Sequence, residues 1–290
     1  MNWDDLKLFL ALVRSGSVRR AGQLAGVSHS TIARRLDQFE QSLGVKVLER
    51  GPGGPVLTPA GEEILETAER VELDMLGLER RVSGRDRQLA GAIRVTMVDV
   101  LATDLLMPDL QRFTQMYPDI DLEIQISYLS ANLDRGEADV ALRLTDKPPE
   151  NLIGRQVGRI AHAAYASRAY LKSHQLDNPQ SASWIGFDHG GRDPRWLRQS
   201  GLSQLPVRGV CESLLVQIAA TRAGLGVGFL PCFVGDRYDD LACADDKSRY
   251  PTYNIWLLRH PDTRETARLS VFSEFMAAAL AAHAPALAGN

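Results

Sequence analysis

The sequence predicts an α/β protein in three parts: an N-terminal winged helix-turn-helix over residues 1–58, a long linker helix over 59–90, and a two-part α/β body over 91–290. Three observations predict it. The stretch 17–50, SVRRAGQLAGVSHSTIARRLDQFEQSLGVKVLER, reads as two helices joined by a tight turn, with short β-rich runs beginning at its end. An apolar stripe then repeats at helical spacing from Ile64 through Leu65, Ala68, Val71, Met75 and Leu78 to Val82. From Ala92 onward, β-rich runs alternate with helical ones, the order that builds a parallel sheet with helices on its faces.

Composition narrows the class. A chain of 290 residues has material for two or three domains. Its longest apolar run, Met276 to Ala282, is too short to span a bilayer, and the N-terminus has Asp4 and Asp5 where a secretory signal needs bases. A cytoplasmic protein without a membrane partner is expected. Cys211, Cys232 and Cys243 form no CxxC pair and have no clustered histidine, so reduced thiols are expected and no metal or cofactor. A redox pair formed by proximity in space stays open. The net charge of −3 is unevenly spread: residues 1–60 carry eight bases and five acids, +3, leaving 25 bases and 31 acids, −6, on the rest. A basic head on an acidic body directs phosphate attraction to one end.

Within the head, Asn2 caps a first helix whose apolar face is Leu6, Phe9, Leu10 and Val13. Ser15-Gly16-Ser17 breaks it, and Ser17 is expected to cap the next helix, with Ala21, Leu24 and Ala25 inward. The small pair Ala21-Gly22 permits close approach by a neighbour. Gly26 supplies the positive backbone angle of the turn, with Val27 expected beneath it. Ser28 caps HSTIARRLDQFEQSL, whose core side is Ile32, Leu36, Phe39 and Leu43. That rotation points His29, Ser30, Ala33 and Arg34 outward, and a helix so furnished fits the DNA major groove.

VKVLER and PVLTP read as the two strands of a wing around Gly51-Pro52-Gly53-Gly54, with Arg50 at its base. Thr58 caps the long helix and Pro59 takes its first position; the helix can reach about Gln88. Its stripe has no surrounding domain, and antiparallel pairing with a second copy is the simplest cover. For contact with DNA, Ser30, His29 and Arg34 are assigned to base edges, and Arg35, Arg50, Ser28 and Thr31 to phosphate or positioning.

The segment LKLFLALVRSGSVRRAGQLAGVSHSTIARRLDQFEQSLGVKVLER followed by LTPAGEEIL resembles the LysR-type transcriptional regulators, and the similarity extends over nearly the whole chain. The resemblance implies a regulator that reads a roughly palindromic promoter site on double-stranded DNA as a homodimer or homotetramer. It also implies a small-molecule effector and RNA polymerase as partners. His29 stands where the family commonly has glutamine and Ala33 where it has serine, which alters the donors and acceptors offered to a base.

The body resembles that family's effector-binding region, two periplasmic-binding-protein-like α/β subdomains flanking a cleft, expected here at about 91–160 plus 261–290 and about 161–260. IRVTMV, DLEIQIS and ADVALRL are its first strands; Thr103 is expected to cap the helix TDLLMPDLQRFTQMY, and a further helix is expected around Asn132–Gly136. Ligands of open α/β sheets sit beyond the carboxyl ends of strands. Val98 and Asp99, Ser127 and Tyr128, Arg143, Phe187 and Asp188, and Ser213 are therefore the candidate effector residues. Asp99 replaces the family's usual Ser or Thr, which argues against a carboxylate docking there unless Arg143 compensates. Gly224–Gly228 has the glycines of a nucleotide loop but follows a helix and precedes a strand, the reverse of what such a loop needs. Asp188, His189 and Asp193 lack a nucleophile beside them, so no catalytic residue is expected. The alternatives are a constitutive regulator with a vestigial cleft, and a metabolite-processing enzyme with an accessory head.

Overall fold

A computed structural model describes residues 2–51, 54–83, 87–128, 133, 137–187, 197 and 200–289. The chain divides into two units, Met1–Arg80 and Arg81–Asn290, each with its own core.

The first unit contains α1 (Trp3–Ser15), α2 (Val18–Ala25), α3 (His29–Leu43), the hairpin strands β1 (Leu48–Gly51) and β2 (Gly54–Leu57), and α4 (Pro59–Ser83). Asn2 closes a capping box with Asp5 on α1. Ser28 caps α3, its hydroxyl accepting from the Thr31 amide at 3.2 Å. Thr58 ties the start of α4 down by accepting from the Gly61 amide at 3.0 Å and donating to the Lys46 carbonyl at 2.7 Å. Gly26 adopts φ 66, and a Cβ at Gly22 would stand 2.8 Å from the Val27 carbonyl, so these two glycines allow the turn to fold back on α2. Leu6, Phe9, Leu10, Phe39, Val47 and Ala68 form the core, with Leu36, Leu43, Ile64, Leu65 and Val71 packed around them.

Several local expectations are corrected here. Ser17 occupies the N-cap position of α2 but its side chain makes no cap bond; the Ser15 hydroxyl instead donates to the Ser17 carbonyl at 3.0 Å. Val27 is 39% exposed rather than packed beneath the turn, because the close approach at Gly22 involves its backbone. The side chains of Leu24 and Ala25 lie outside the described residues. The first wing strand starts at Leu48, not Val45, because the Val47 and Leu48 amides are taken by the Glu40 carboxylate at 2.9 and 3.3 Å. Helix α4 ends at Ser83, and Arg87 and Gln88 are not helical; the Ser-Gly step is a poor place to continue a helix.

The second unit is built on one eight-stranded sheet, in the order β4-β3-β5-β10-β6-β9-β7-β8. Strands β3 (Gly91–Met97), β4 (Ile120–Ile126) and β5 (Val140–Leu144) form a parallel half, and β7 (Trp184–Phe187), β8 (Val207–Cys211) and β9 (Val227–Pro231) form another. Two long strands join them. The 15-residue β6 (Ile153–Ser167) and the 19-residue β10 (Leu241–Arg259) pair antiparallel and run through both halves. The subdomain boundary expected near residue 260 thus falls after a strand whose last five residues pair with β5 of the first half.

Helices α5 (Met107–Met116), α6 (Arg168–Ser173), α7 (Leu214–Arg222), α8 (Cys232–Gly235), α9 (Ala267–Ala282) and α10 (Ala284–Ala288) complete the unit. Helix α9 lies on the first half, where Leu269, Phe272, Met276 and Leu280 join Ile255 and Leu257 in the main core. A smaller core around Trp184, Tyr170, Leu202 and Phe229 serves the second half. Thr103 is not a helix cap. It sits inside a π-helical segment, Leu101–Leu106, that runs on into α5, and its hydroxyl donates to Asp104 at 2.7 Å. Pro108 accounts for the widened turn: it lacks an amide and its ring displaces the Asp104 carbonyl, which accepts from Arg237 at 2.9 Å instead. The helix expected around Asn132–Gly136 falls mainly outside the described residues.

Candidate functional site: an exposed helix face and a strand-end cluster

Helix α3 turns Ile32 and Phe39 inward and leaves His29, Ser30, Ala33, Arg34 and Arg35 exposed, with Thr31 half-buried. Its first turn is pre-set. The Ser28 hydroxyl lies 2.8 Å from both the Ser30 and the Thr31 hydroxyls while it caps the helix, so it organises the N-terminus. Among the described residues, Arg34 and Arg35 have neither an ion-pair partner nor a side-chain hydrogen bond, and both remain available to an external acceptor. Arg50 lies in β1 opposite Pro55, and its side chain is outside the described residues.

The wing is fixed to α3 by Glu40, a buried carboxylate that also accepts from Lys46 Nζ at 2.6 Å. Burial works to raise the Glu40 pKa, but the bonds from Lys46 and from the Val47 and Leu48 amides outweigh it and hold the group below its ordinary value. Helix α4 is tied to α1 by a forked pair, Arg14 to Glu72 at 2.8 and 2.5 Å. Beyond Val71, its residues Met75, Leu78 and Val82 remain exposed in a continuing stripe.

In the body, four sequence-predicted positions converge. The Asp99 carboxylate accepts from its neighbour's amide, Val100 N–H, at 2.8 Å, from the Tyr128 hydroxyl, and from the Ser213 hydroxyl at 3.3 Å. The Tyr128 hydroxyl in turn accepts from the Leu214 amide at 2.9 Å, and its ring meets Phe187 edge-on at 5.8 Å. Burial and the bond to Asp99 raise the Tyr128 pKa well above that of a free phenol. Residues following β3 and β4 are thereby bonded to the first residues of α7 in the other half of the sheet. Ser213 stands at the N-cap position of α7, but its hydroxyl serves Asp99 instead of capping the helix.

Arg143 is separate from this cluster. It is 9% exposed, donates to the Thr96 hydroxyl at 2.8 Å and to the Ser127 carbonyl at 3.3 Å, and has no carboxylate partner among the described residues. Burial brings its pKa down to about 10, so it stays cationic at neutral pH. The compensation of Asp99 by Arg143 that the sequence suggested is not formed as an ion pair. Opposite Arg143 on β10 is Trp256, whose buried indole N–H has no acceptor among the described residues. Val98, a candidate contact, is buried in the main core, which assigns its side chain to packing. Asp188 lies outside the described residues.

Two family models match this chain. A bacterial regulatory helix-turn-helix of the lysR family covers residues 3–62, and a LysR substrate binding domain covers residues 86–281. The chain belongs to the LysR family of transcriptional regulators. Among curated relatives, this LysR-family chain is 26% identical to the probable HTH-type transcriptional regulator LtrA of Klebsiella pneumoniae, over 94% of this chain and 93% of that one. It is 25% identical to the regulator CrgA of Neisseria meningitidis, over 95% and 96%. Among solved structures, the Vibrio cholerae virulence activator AphB has 24% identity and a TM-score of 0.62, covering 95% of this chain and 98% of its own. CrgA has 22% identity and a TM-score of 0.59, covering 97% and 99%. These two share the fold.

For this LysR-family regulator, the sequence reading missed three things. Glu40 was detectable as an acid on the apolar stripe of α3, one turn after Leu36. Arg19 and Arg20 on α2 are exposed and, among the described residues, unpaired, which adds two available cations to the first unit. Thr96 is a fully buried hydroxyl whose use by Arg143 has no local signature. Gly224–Gly228 does join α7 to β9, helix to strand, as its order in the sequence requires. No helix among the described residues is long and apolar enough to cross a membrane.

Proposed function

We propose that this LysR-family regulator is a cytoplasmic, non-enzymatic protein that holds promoter DNA with α3 and acts as a homo-oligomer paired along α4. Its body takes a small-molecule effector, and RNA polymerase is its further partner on DNA. Ser30, His29 and Arg34 read base edges; Arg35, Arg50 and Thr31 hold phosphate, joined by Arg19 and Arg20, while Ser28 positions the helix. The observation that carries this is the α3 face itself: Arg34 and Arg35, unpaired among the described residues, exposed together with small polar groups on a helix whose other side is core. The exposed Met75, Leu78 and Val82 support pairing along α4. Retardation of the upstream intergenic DNA by the intact chain at low ionic strength tests the proposal; failure to retain that DNA ends it.

The effector we infer bears an acid group. Arg143 is a desolvated cation with neutral partners only among the described residues, at the ends of three parallel strands, beside Trp256, whose N–H has no acceptor among those residues. The carboxylate of Asp99 is already supplied with donors, so the effector's anion belongs at Arg143 and its remainder near Ser127, Tyr128 and Phe187. The half built on β3–β5 and the half built on β7–β9 are the two parts whose relative angle the effector would bias.

One observation favours a second reading, a regulator that assembles without any effector. The bonds from Tyr128 and Ser213 to Asp99 already link the two halves. Thermal-shift screening against small organic acids separates the readings, since a ligand of the folded state raises its melting temperature.

A further inference from the structure

A second groove lies at the other end of the sheet. In the antiparallel pair β6–β10, Ile153 faces Arg259 and Arg155 faces Leu257. Residues directly opposite share a face, as do residues two apart, so all four side chains stand on the face that packs against α9. Beside them α9 fills its contact with Leu269, Phe272 and Met276, but above them it presents Ser270, Ser273 and Glu274. The serines are too small to reach the strands, and a cavity of about 260 Å³ remains.

Two guanidiniums border this cavity, and both are poorly used. Arg155 Nη2 donates to the Ser273 carbonyl at 3.4 Å, and Arg259 Nη1 to the Ser270 hydroxyl at 3.3 Å. Each guanidinium has five N–H donors, so most are unspent among the described residues. Neither has a carboxylate within 4.0 Å among the described residues, although Glu274 lies near enough to favour the charge on Arg259 while Arg264 opposes it. Burial, the largest influence, holds the Arg259 pKa below its usual value. Diagonal positions on an antiparallel pair lie roughly 7–8 Å apart, a spacing that lets two long side chains on one face reach a single compact anion. The groove is also independent of Arg143. Arg259 pairs with Val140 at the start of β5, whereas Arg143 is near its end and opposite Trp256, on the other face of the sheet.

We propose that this groove is a second ligand site, in which Arg155 and Arg259 bridge a compact dianionic oxyacid such as a phosphate or a short dicarboxylate. Ser270 adds a hydroxyl, and Ile153 and Leu257 give an apolar floor.

Isothermal titration of the full chain with orthophosphate, and separately with succinate, at constant ionic strength set by chloride, tests this. Saturable binding of either at one site per chain is expected, and the tighter of the two identifies the ligand type. Arg259→Gln and Arg155→Gln should each weaken it at least tenfold, and Ser270→Leu should abolish it with both charges retained. Arg143→Gln should leave it within twofold. If Arg259→Gln fails to fold, the exposed Arg155 and the Ser270 variant carry the test. The proposal is overturned if neither anion saturates the protein, if the groove variants bind as the wild type does, or if Arg143→Gln removes the binding.

Discussion

The arginines on α3 of the head and most of those described in the body are used in different ways. On α3 of the head, Arg34 and Arg35 stand exposed and, among the described residues, unpaired. In the body, Arg94, Arg112, Arg222 and Arg249 are held by Asp139, Asp109, Asp240 and Asp236, and Arg143 and Arg259 are drawn out of solvent. The difference follows the size of the anion each unit is proposed to meet. A long hydrated polyanion is met by loose surface cations that exchange its counterions. A small anion is held more firmly where at least one cation has lost water and the donors are fixed in place.

Four measurements can break or sharpen that contrast. The largest effect is expected from Arg34→Ala, which should cost about 1–3 kcal/mol on the operator and narrow the gap between operator and scrambled DNA. Equal affinity of variant and wild type for both DNAs in a filter-binding titration would remove base reading from Arg34.

The second measurement concerns acid. His162 is buried against Phe229 and bonded to the Thr252 hydroxyl at 2.6 Å, and burial takes its pKa down to about 3. The unfolded chain protonates this histidine near pH 6.5 while the folded one does not, so stability present above 6.5 falls as pH drops toward 3. The body should lose about 2 kcal/mol by pH 5 from this group, the amount given by 1.5 pH units below the free value. Hydrogen exchange read separately on body and head peptides checks it: body protection should decline from pH 7 to 5 and the decline should flatten in His162→Gln. A parallel decline in the head would break the contrast.

Third, Glu40→Gln should cost the head about 1 kcal/mol at pH 7, because it weakens charge-assisted bonds to two amides and Lys46. The depressed pKa of Glu40 means that this stability is present above the ordinary carboxylate value and lost only as pH falls below it. Acid titration of the wild-type head by circular dichroism should therefore show its loss below about pH 4.3, well under the window of the body. The smallest effect is expected for Arg35→Ala, a drop of about one in the slope of log affinity against log salt, with sequence preference intact. An unchanged slope would place Arg35 away from phosphate.

The head was readable from sequence because its signals are local. Caps, glycine turns and stripes at i, i+3 and i+4 place α1, α3 and α4 without knowledge of distant contacts. Its errors came where a distant group intervened, as when Glu40 took the amides of Val47 and Leu48 and delayed the wing strand. In the body, short apolar strands such as Val140–Leu144 were legible, but β6 was not. Its alanine-rich RIAHAAYAS has no polar alternation and reads equally as helix. The strand-end rule found Asp99, Tyr128, Arg143 and Ser213, yet the bonds joining Asp99 to residues 29 and 114 positions away are set by topology alone.

That continuous ribbon has a mechanical consequence. With β6 and β10 hydrogen-bonded through both halves, rotation has to be taken up where the ladder is already irregular. Three of those irregularities fall between Cys243 and Tyr253, opposite Ile160 to Tyr165, and a fourth lies between Ile255 and Trp256. A change of angle between the two halves would thus be added curl in a spring-like band, small in angle and stiff in return, in place of the free swing of a door.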